Sequence, residues 1–456
     1  MSNPLELAFG TGTLIGRSMK SQRLIRLKDP KRSTYVVGAH GMGKSTLLMN
    51  LILTDIERGD EGVVVMDPHG DLARAIALRC PPDQAKRVIY FAPAEQKELV
   101  LGLNPFQITE ARSYELQAGA LMDVFAHAWY GDFSRTPTMQ NTLETLVRTL
   151  LSAYPEHETS FLHMLLLTRQ DEIGLAWRER LAPYVKDNPA LSQNWSEWEN
   201  ERRLRDDIQS SRQKIKHIIT SDTLAAILSQ PQSADCFRFQ ELLSQKGVLL
   251  VNLEGLEDEG QRLIGSIILT QLLLMAKLRM DAEDRVPCHI YADEFYKFSP
   301  QSFVTIINEA RKFRLFCTLA HQNLEQLDKK ARAAAANCGN VIAFRVNPED
   351  SSTLGRHFLH KGHVLPADTL SNLPRFHAMV RYADRDQRRQ AFIRTFREKG
   401  TENPATAAII REKSEVYGKP IENIRTHITD ILEMEDDRTP KRGQPPIRTK
   451  SKTTSD

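Results

Sequence analysis

Several protein classes are excluded by what the chain has little of. Its 456 residues hold five cysteines, Cys80, Cys236, Cys288, Cys317 and Cys338, and no two of them form a C-x-x-C pair. A disulfide-stapled scaffold and a zinc ribbon are therefore excluded, and a reducing compartment fits. Charge of one sign is also missing: 61 Lys and Arg face 58 Asp and Glu, a net charge of +3. That balance excludes a wholesale polycation and leaves room for a local basic channel. The most apolar stretch, Leu263 to Leu278, is interrupted by Gly265, Ser266, Thr270, Gln271 and Lys277. It falls short of the roughly 20 apolar residues that cross a bilayer. The opening MSNPLELAFGTG has no basic segment followed by an apolar run, so no secretory signal is read there. The expectation is a soluble intracellular protein.

Composition is otherwise that of a globular chain, with 41% hydrophobic and 26% charged residues. At roughly 150 residues per domain, the length predicts two or three compact units. A short β-rich lead-in is expected first. Strands are then predicted at Thr34 to Val37, Val63 to Val65 (ending at Asp67) and Val88 to Phe91. A helix runs from Ser45 to Arg58, stopped by Gly59. After Asn104-Pro105-Phe106 the β-branched runs disappear, and all four tryptophans, Trp129, Trp177, Trp195 and Trp198, fall in this Leu-, Glu- and Arg-rich stretch. It reads as an all-α insertion, with one long charged helix from Trp195 to Ile219. Buried-strand patterns return at Val248 to Leu253, Cys288 to Ala292, Leu315 to Leu319, Val341 to Val346 and Ala378 to Tyr382. Helical patterns lie between them at Arg262 to Leu278 and Gln301 to Phe313. Alternating strands and helices predict an α/β core with a mostly parallel sheet. The expected units are the lead-in at 1–30, a nucleotide-binding core made of two segments at 31–106 and 237–398, the all-α insertion between them at 107–236, and a helical, then disordered and basic, C-terminal tail at 399–456.

Gly38-Ala39-His40-Gly41-Met42-Gly43-Lys44-Ser45 matches G-x-x-x-x-G-K-[ST] in full, between a predicted strand and a predicted helix. Glycines let consecutive backbone N–H groups turn inward around phosphates, and the helix N-terminus adds its positive end. Lys44 then reaches the β- and γ-phosphates of ATP, and the hydroxyl of Ser45, followed by Thr46, is a ligand for Mg²⁺. A second carboxylate site is expected where the strand Cys288 to Ala292 ends in Asp293-Glu294. Asp293 is assigned to the metal, and Glu294 to polarising the attacking water as general base. Gln322 follows the strand Leu315 to Leu319 and is a candidate γ-phosphate sensor. Arg311 and Arg314 end a helix, where the dipole favours a solvated cation and where an arginine also reaches a neighbouring subunit's nucleotide.

Other features are read as structural. Gly10 to Gly16 imitates a dinucleotide fingerprint but follows no strand, so a turn is expected. His357, His360 and His363 are broken by Gly362 and have no carboxylate or cysteine companions, so no zinc site is assigned. The tryptophans are assigned to core or interface rather than to base stacking.

With these segments in hand, the chain resembles the HerA/FtsK-type translocases, and among them the TraG/TraD-like coupling ATPases of conjugative type IV secretion. The resemblance rests on GAHGMGKST, VVVMDPHGDLA, LGLNPF, GVLLVNLEG, HIYADEFYKF, NEARKFRLFCTLAHQ, NCGNVIAFRVNPED and NLPRFHAMVRY, in that order. It implies a RecA-like motor with an inserted all-α domain, working as a homohexameric ring that pulls DNA through a central pore at the expense of ATP. It also assigns Arg311 as an arginine finger acting on the neighbouring subunit, and Gln322, eleven residues on, as the γ-phosphate contact. The implied partners are DNA of either strand type, further copies of the chain, and a relaxase or secretion-channel component. Coupling proteins of this family carry N-terminal membrane helices, and none is read here. The expectation is a cytoplasmic chain, held at the inner membrane only through a partner. Two alternatives stay open: a HerA-like DNA-processing or defence motor paired with a nuclease, and a nucleotide-dependent adaptor that recruits protein cargo.

Overall fold

The structure, a computed structural model, describes residues 13–21, 23–27, 33–107, 114–129, 136–198, 201–230, 237–280, 285–298, 300–360, 363–366, 368–384 and 387–433. Its strands, in chain order, are β1 (Thr13–Ser18), β2 (Leu24–Leu27), β3 (Thr34–Val37), β4 (Gly62–Asp67), β5 (Val88–Phe91), β6 (Leu99–Leu101), β7 (Val248–Asn252) and β8 (Cys288–Ala292). There follow β9 (Leu315–His321), β10 (Asn340–Ala343), β11 (Leu359–His360), β12 (His363–Val364), β13 (His377–Asp384), β14 (Gln387–Thr395) and β15 (Gly418–Pro420).

Eleven of these form one sheet in the order β2-β1-β14-β13-β10-β3-β9-β8-β4-β7-β5. From β10 to β5 all neighbours are parallel, and β13, β14, β1 and β2 extend the sheet antiparallel. The strands of the parallel portion are mostly apolar on both faces, as a sheet covered on both sides requires. Period-two alternation then divides them between two cores. Tyr35, Val37, Val64, Met66, Leu249 and Val251 face one cluster, while Val36, Val63, Val65, Val248 and Leu250 face the other. The second core is closed by helices Lys44–Arg58 and Asp71–Arg79, and the first by Asp258–Leu278, Pro300–Phe313 and the helices of the insertion. The α/β fold with a mostly parallel sheet is thus as expected.

Helix Asp258–Leu278 is the one described helix long and apolar enough, by length and composition, to cross a membrane, yet 83% of its most apolar window is buried inside the fold. Leu263, Ile264, Leu269 and Leu272 are each fully buried, worth roughly 1.5–3 kcal/mol apiece. Gly265 lets this helix pack tightly, since a Cβ there would stand 2.3 Å from the ring of Phe298. The four tryptophans are 3–8% exposed, in the core as expected.

The chain differs from its sequence reading in several places. The predicted helix Trp195 to Ile219 is two helices, Pro189–Trp198 and Glu201–Thr220. Thr13–Ser18 is a strand with a bulge between Leu14 and Gly16, not a turn, while residues 10–12 lie outside the described ones. The strand expected to Val346 ends at Ala343, where the backbone leaves the sheet to reach the phosphate-loop motif: the Ala39 N–H donates to the Arg345 carbonyl at 2.7 Å. Strand β14 carries too many charged residues to read as buried, and its pairing with β13 over eight positions and with β1 makes it a strand. Helices Pro404–Glu415 and Ile421–Glu433 pack onto the body: the Tyr90 N–H donates to Ser414 Oγ at 2.7 Å, and β15 pairs with β6. The basic residues beyond 433 lie outside the described residues, as does Cys236.

Away from the phosphate-loop end of the sheet, an ion network between exposed Arg58 and the buried carboxylates Asp55 and Glu61 joins helix Lys44–Arg58 to β4 and β8. Arg58 pairs with Asp55 at 3.3 Å and with Glu61 at 3.0 Å, and the Tyr291 hydroxyl donates to Asp55. Burial, and then the neighbouring Asp55 charge, push the Glu61 carboxyl up to about 8 from its ordinary 4.5. The folded chain therefore holds this proton more tightly than the unfolded chain. Its contribution is complete below pH 4.5 and is lost as the pH rises through about 8. Urea midpoints at mildly acidic and mildly alkaline pH should fall for the wild type and fall much less for Glu61→Gln. An equal fall in both would remove Glu61 as the cause.

Candidate functional site

The motif loop connects β3 to helix Lys44–Arg58. Gly43 caps that helix at φ 113°, and no side chain caps it, so the first N–H groups of the helix point into the loop. A Cβ at Gly43 would lie 2.7 Å from the Phe376 ring, whereas at Gly41, with φ 72°, it would meet nothing within 4 Å. The loop is thus packed tightly behind and open in front. Gly38 and Gly43 are buried, Ala39, Met42 and Thr46 half-buried, and His40, Gly41 and Ser45 exposed. Phe376 itself holds φ 63°, and its N–H donates to the Met42 carbonyl at 2.9 Å. The segment NLPRF therefore props the loop from behind.

Lys44 is 6% exposed and its ammonium donates to the Gly38 carbonyl at 2.7 Å. Burial lowers its pKa, and the charges of Asp293 and Glu294 oppose that shift. These two residues arrive from the end of β8. The Asp293 N–H donates to the Met66 carbonyl at 3.1 Å, tying β8 to β4 where β4 ends in Asp67. Burial, then the charges of Glu294 and Asp67, push Asp293 up to about 7. Glu294 is 3% exposed, has the left-handed φ of 48°, and one of its carboxylate oxygens, Oε2, has no hydrogen-bond partner. A buried carboxylate without a partner is costly, and a non-glycine residue in that conformation costs about 1–3 kcal/mol.

The Glu294 turn is gripped from behind. Lys297 Nζ donates to Gln261 Oε1 at 3.1 Å and pairs with Asp258 at 3.3 Å, while Gln261 Nε2 donates to the Pro68 and Leu253 carbonyls at 3.2 and 3.1 Å. His127, from the insertion, hydrogen-bonds the Lys297 carbonyl at 3.1 Å. Asp67, Gln261, Lys297 and His127 were not singled out from the sequence. The only signal for Asp67 was its place at the end of a β-branched run. The other three come from separate segments that only packing brings together. Asp67 also has a local duty, accepting from the His69 and Ala73 N–H groups at 2.9 and 3.0 Å.

Gln322 follows β9, which lies between β3 and β8; Val37 is paired with His321 and Ala292 with Leu319. The half-buried Gln322 therefore stands at the seam between the motif loop and the Asp293-Glu294 turn. Arg311 lies on helix Pro300–Phe313, and its side chain is outside the described residues. Arg314 closes that helix at φ 50° and donates to the Arg285 carbonyl at 3.0 Å. His357 is partly buried, and the side chains of His360 and His363 are outside the described residues.

The donor set fits a nucleotide with a divalent cation. An open glycine cradle faces a helix N-terminus, a buried lysine lies beside it, and Asp293, whose proton affinity is raised by burial and by the charges of Glu294 and Asp67, sits where a cation would relieve it. Loop, sheet order and strand ends together define a RecA-like P-loop fold.

The chain matches the family described as Helicase HerA, central domain, over residues 11–272, more than half its length, and it belongs to that family. No curated protein matches it by sequence. Among solved structures it is similar to the plasmid coupling protein TrwB in complex with the GTP analogue GDPNP, at 16% identity and a TM-score of 0.62, covering 87% of this chain and 92% of that one. TrwB in complex with ADP and Mg²⁺ is similar at 16% identity and a TM-score of 0.61, covering 87% and 93%. VirB4 of Thermoanaerobacter pseudethanolicus follows at 15% identity and a TM-score of 0.52, covering 85% and 97%. At these identities the likeness is one of fold.

Glu294→Gly should stabilise the fold, because it relieves both the left-handed backbone and the unpartnered buried carboxylate. The expected gain is about 1–2 kcal/mol, checked by denaturant unfolding. An unchanged or lowered stability would show that Glu294 is not held under strain.

Proposed function

We propose that the chain is a Mg²⁺-dependent ATPase that translocates DNA as a homohexameric ring, in conjugative or mobile-element transfer. The observation that carries this reading is Glu294: a buried, left-handed carboxylate with a free oxygen, beside Asp293 and acting electrostatically on Lys44. A chain with only a structural nucleotide has no use for that group. Bound Mg²⁺ would neutralise phosphate charge, and Ser45 and Asp293 would hold it. The loop from Gly38 to Thr46 cradles the phosphates with its backbone. Lys44 exchanges its carbonyl partners for phosphate oxygens, and Glu294 takes a proton from the attacking water through its free Oε2. Gln322, at the seam, reports the γ-phosphate to β9. Arg311 completes the site of the neighbouring subunit. A relaxase or channel component is the expected protein partner, and the chain works in the cytoplasm, held at the inner membrane through that partner. The family match also favours a second reading, a DNA-processing motor paired with a nuclease; relaxase or nuclease genes beside this one separate the two.

Steady-state ATP hydrolysis with and without DNA tests the leading reading. Glu294→Gln should bind ATP and lose turnover by about 10²-fold or more, while Lys44→Ala should lose nucleotide binding. Wild-type turnover in Glu294→Gln would sink the assignment. Turnover indifferent to DNA would move the chain toward the cargo-adaptor reading. For Arg311, mixing Arg311→Ala chains with Lys44→Ala chains should restore a fraction of the activity, because one interface then carries both intact groups. No recovery would place Arg311 outside the neighbour's site.

A further inference from the structure

The near-neutral charge of the chain conceals one strong local imbalance. The sequence stretches 13–27 and 377–395, which supply β1, β2, β13 and β14, carry nine Lys and Arg against two Asp and Glu. On the sheet, Arg17 of β1 is paired directly with Arg394 of β14, and Arg394 in turn with His377 of β13. Residues directly opposed in an antiparallel pair project to the same face, and like charges so placed destabilise the sheet. Both arginines are exposed, as are Lys20, Arg23 and Arg388, and none of these five forms an ion pair among the described residues. The same face presents the half-exposed ring of Phe392, tilted against His377 with centroids 5.7 Å apart. A folded chain that keeps guanidinium groups side by side without a counter-charge is complementary to a polyanion.

We propose that this open face of β1, β13 and β14 is a platform for the phosphate backbone of DNA, a surface distinct from the nucleotide site. The proposal deepens the DNA-motor reading and rests on it for its biological sense. Guanidinium groups match phosphate oxygens in pairs, and a ring among them offers a surface on which an unpaired base stacks. A lipid surface is disfavoured, because among the described residues Met19, just after β1, is the only strongly exposed large apolar side chain of these two stretches. The platform is also wired to the nucleotide loop. The Thr395 N–H, next to Arg394, donates to the Phe376 carbonyl at 2.9 Å, and the Phe376 N–H donates to the Met42 carbonyl at 2.9 Å. Binding at Arg394 therefore acts two hydrogen bonds away from the loop that precedes Lys44.

The test is fluorescence anisotropy of the full chain without nucleotide, on duplex and single-stranded DNA, between about 50 and 200 mM salt. Arg17→Gln/Arg394→Gln should bind about tenfold more weakly at moderate salt, with the salt slope on duplex reduced by about 2. Its thermal midpoint should hold or rise, because the like-charge pair is gone, whereas a merely structural role predicts a fall. Lys86→Gln/Lys97→Gln, which removes two exposed charges near β5 at the far edge of the sheet, should stay within about twofold of wild type. Equal binding by the two double variants, or capture of phosphatidylserine vesicles in place of DNA, would overturn the platform. Turnover is read separately. A chain that hydrolyses ATP but binds DNA independently of Arg17 and Arg394 loses the platform and keeps the motor; one that binds through them without hydrolysing ATP does the reverse.

Discussion

The structure depends on holding a lysine and several carboxylates together out of water. Lys44, Asp293 and Glu294 are all nearly buried, and Asp67 stands beside them. Charges taken out of water cost several kcal/mol each unless matched, and the match here is incomplete: Asp293 is pushed up to about 7 and Glu294 keeps an oxygen without a partner. The surrounding architecture exists to keep these groups in place. The parallel strands β3, β9, β8 and β4 deliver them at adjacent ends, both faces of the sheet are sealed by helices, and Gln261 and Lys297 pin the turn that carries Glu294.

That packing gives the site three connections. Behind the motif loop, Phe376 links it to the antiparallel extension and its basic face. Behind Glu294, the Lys297 carbonyl meets His127 of the helices between β6 and β7, so a shift of the Glu294 turn has a direct contact through which to act on them. Beside both, β9 joins the motif loop to the turn and ends next to Gln322. The motor proposed above would need contacts of this kind, in which one small rearrangement is felt in different regions of the chain.

The insertion and the C-terminal helices serve the same end by different means. The tryptophans are buried in the same core that one face of the sheet packs against, and Trp129 Nε1 donates to Glu259 at 2.7 Å, fastening these helices to the start of helix Asp258–Leu278. Helix Pro404–Glu415 covers β5, and helix Ile421–Glu433 leans on the insertion, where Arg169 donates to the Leu432 carbonyl at 3.3 Å. The far edge of the sheet is thereby closed by a segment that begins at the core and ends on the helices between β6 and β7.

Much of this was legible in residue order alone. The motif from Gly38 to Ser45 states its own geometry, because only glycine tolerates φ 113° at residue 43. The buried strands announced themselves as short, mainly apolar runs, continuous and β-branched at Val63 to Val65, because a strand sealed on both faces has little polar side to alternate with. Asp293-Glu294 was visible because such a strand ended in two carboxylates. Tertiary structure alone decided the rest. Strand β14 is too charged to read as a strand and owes its form to its neighbours β13 and β1. The apparent long helix after Trp195 divides in two, since helical periodicity does not report where a chain bends to pack. Asp67, Gln261, Lys297 and His127 come from four separate segments, and Arg17 faces Arg394 across most of the chain length. Sequence patterns carry information over a turn of helix or a few residues of strand, whereas such contacts depend on sheet order, which arises only when the whole core closes.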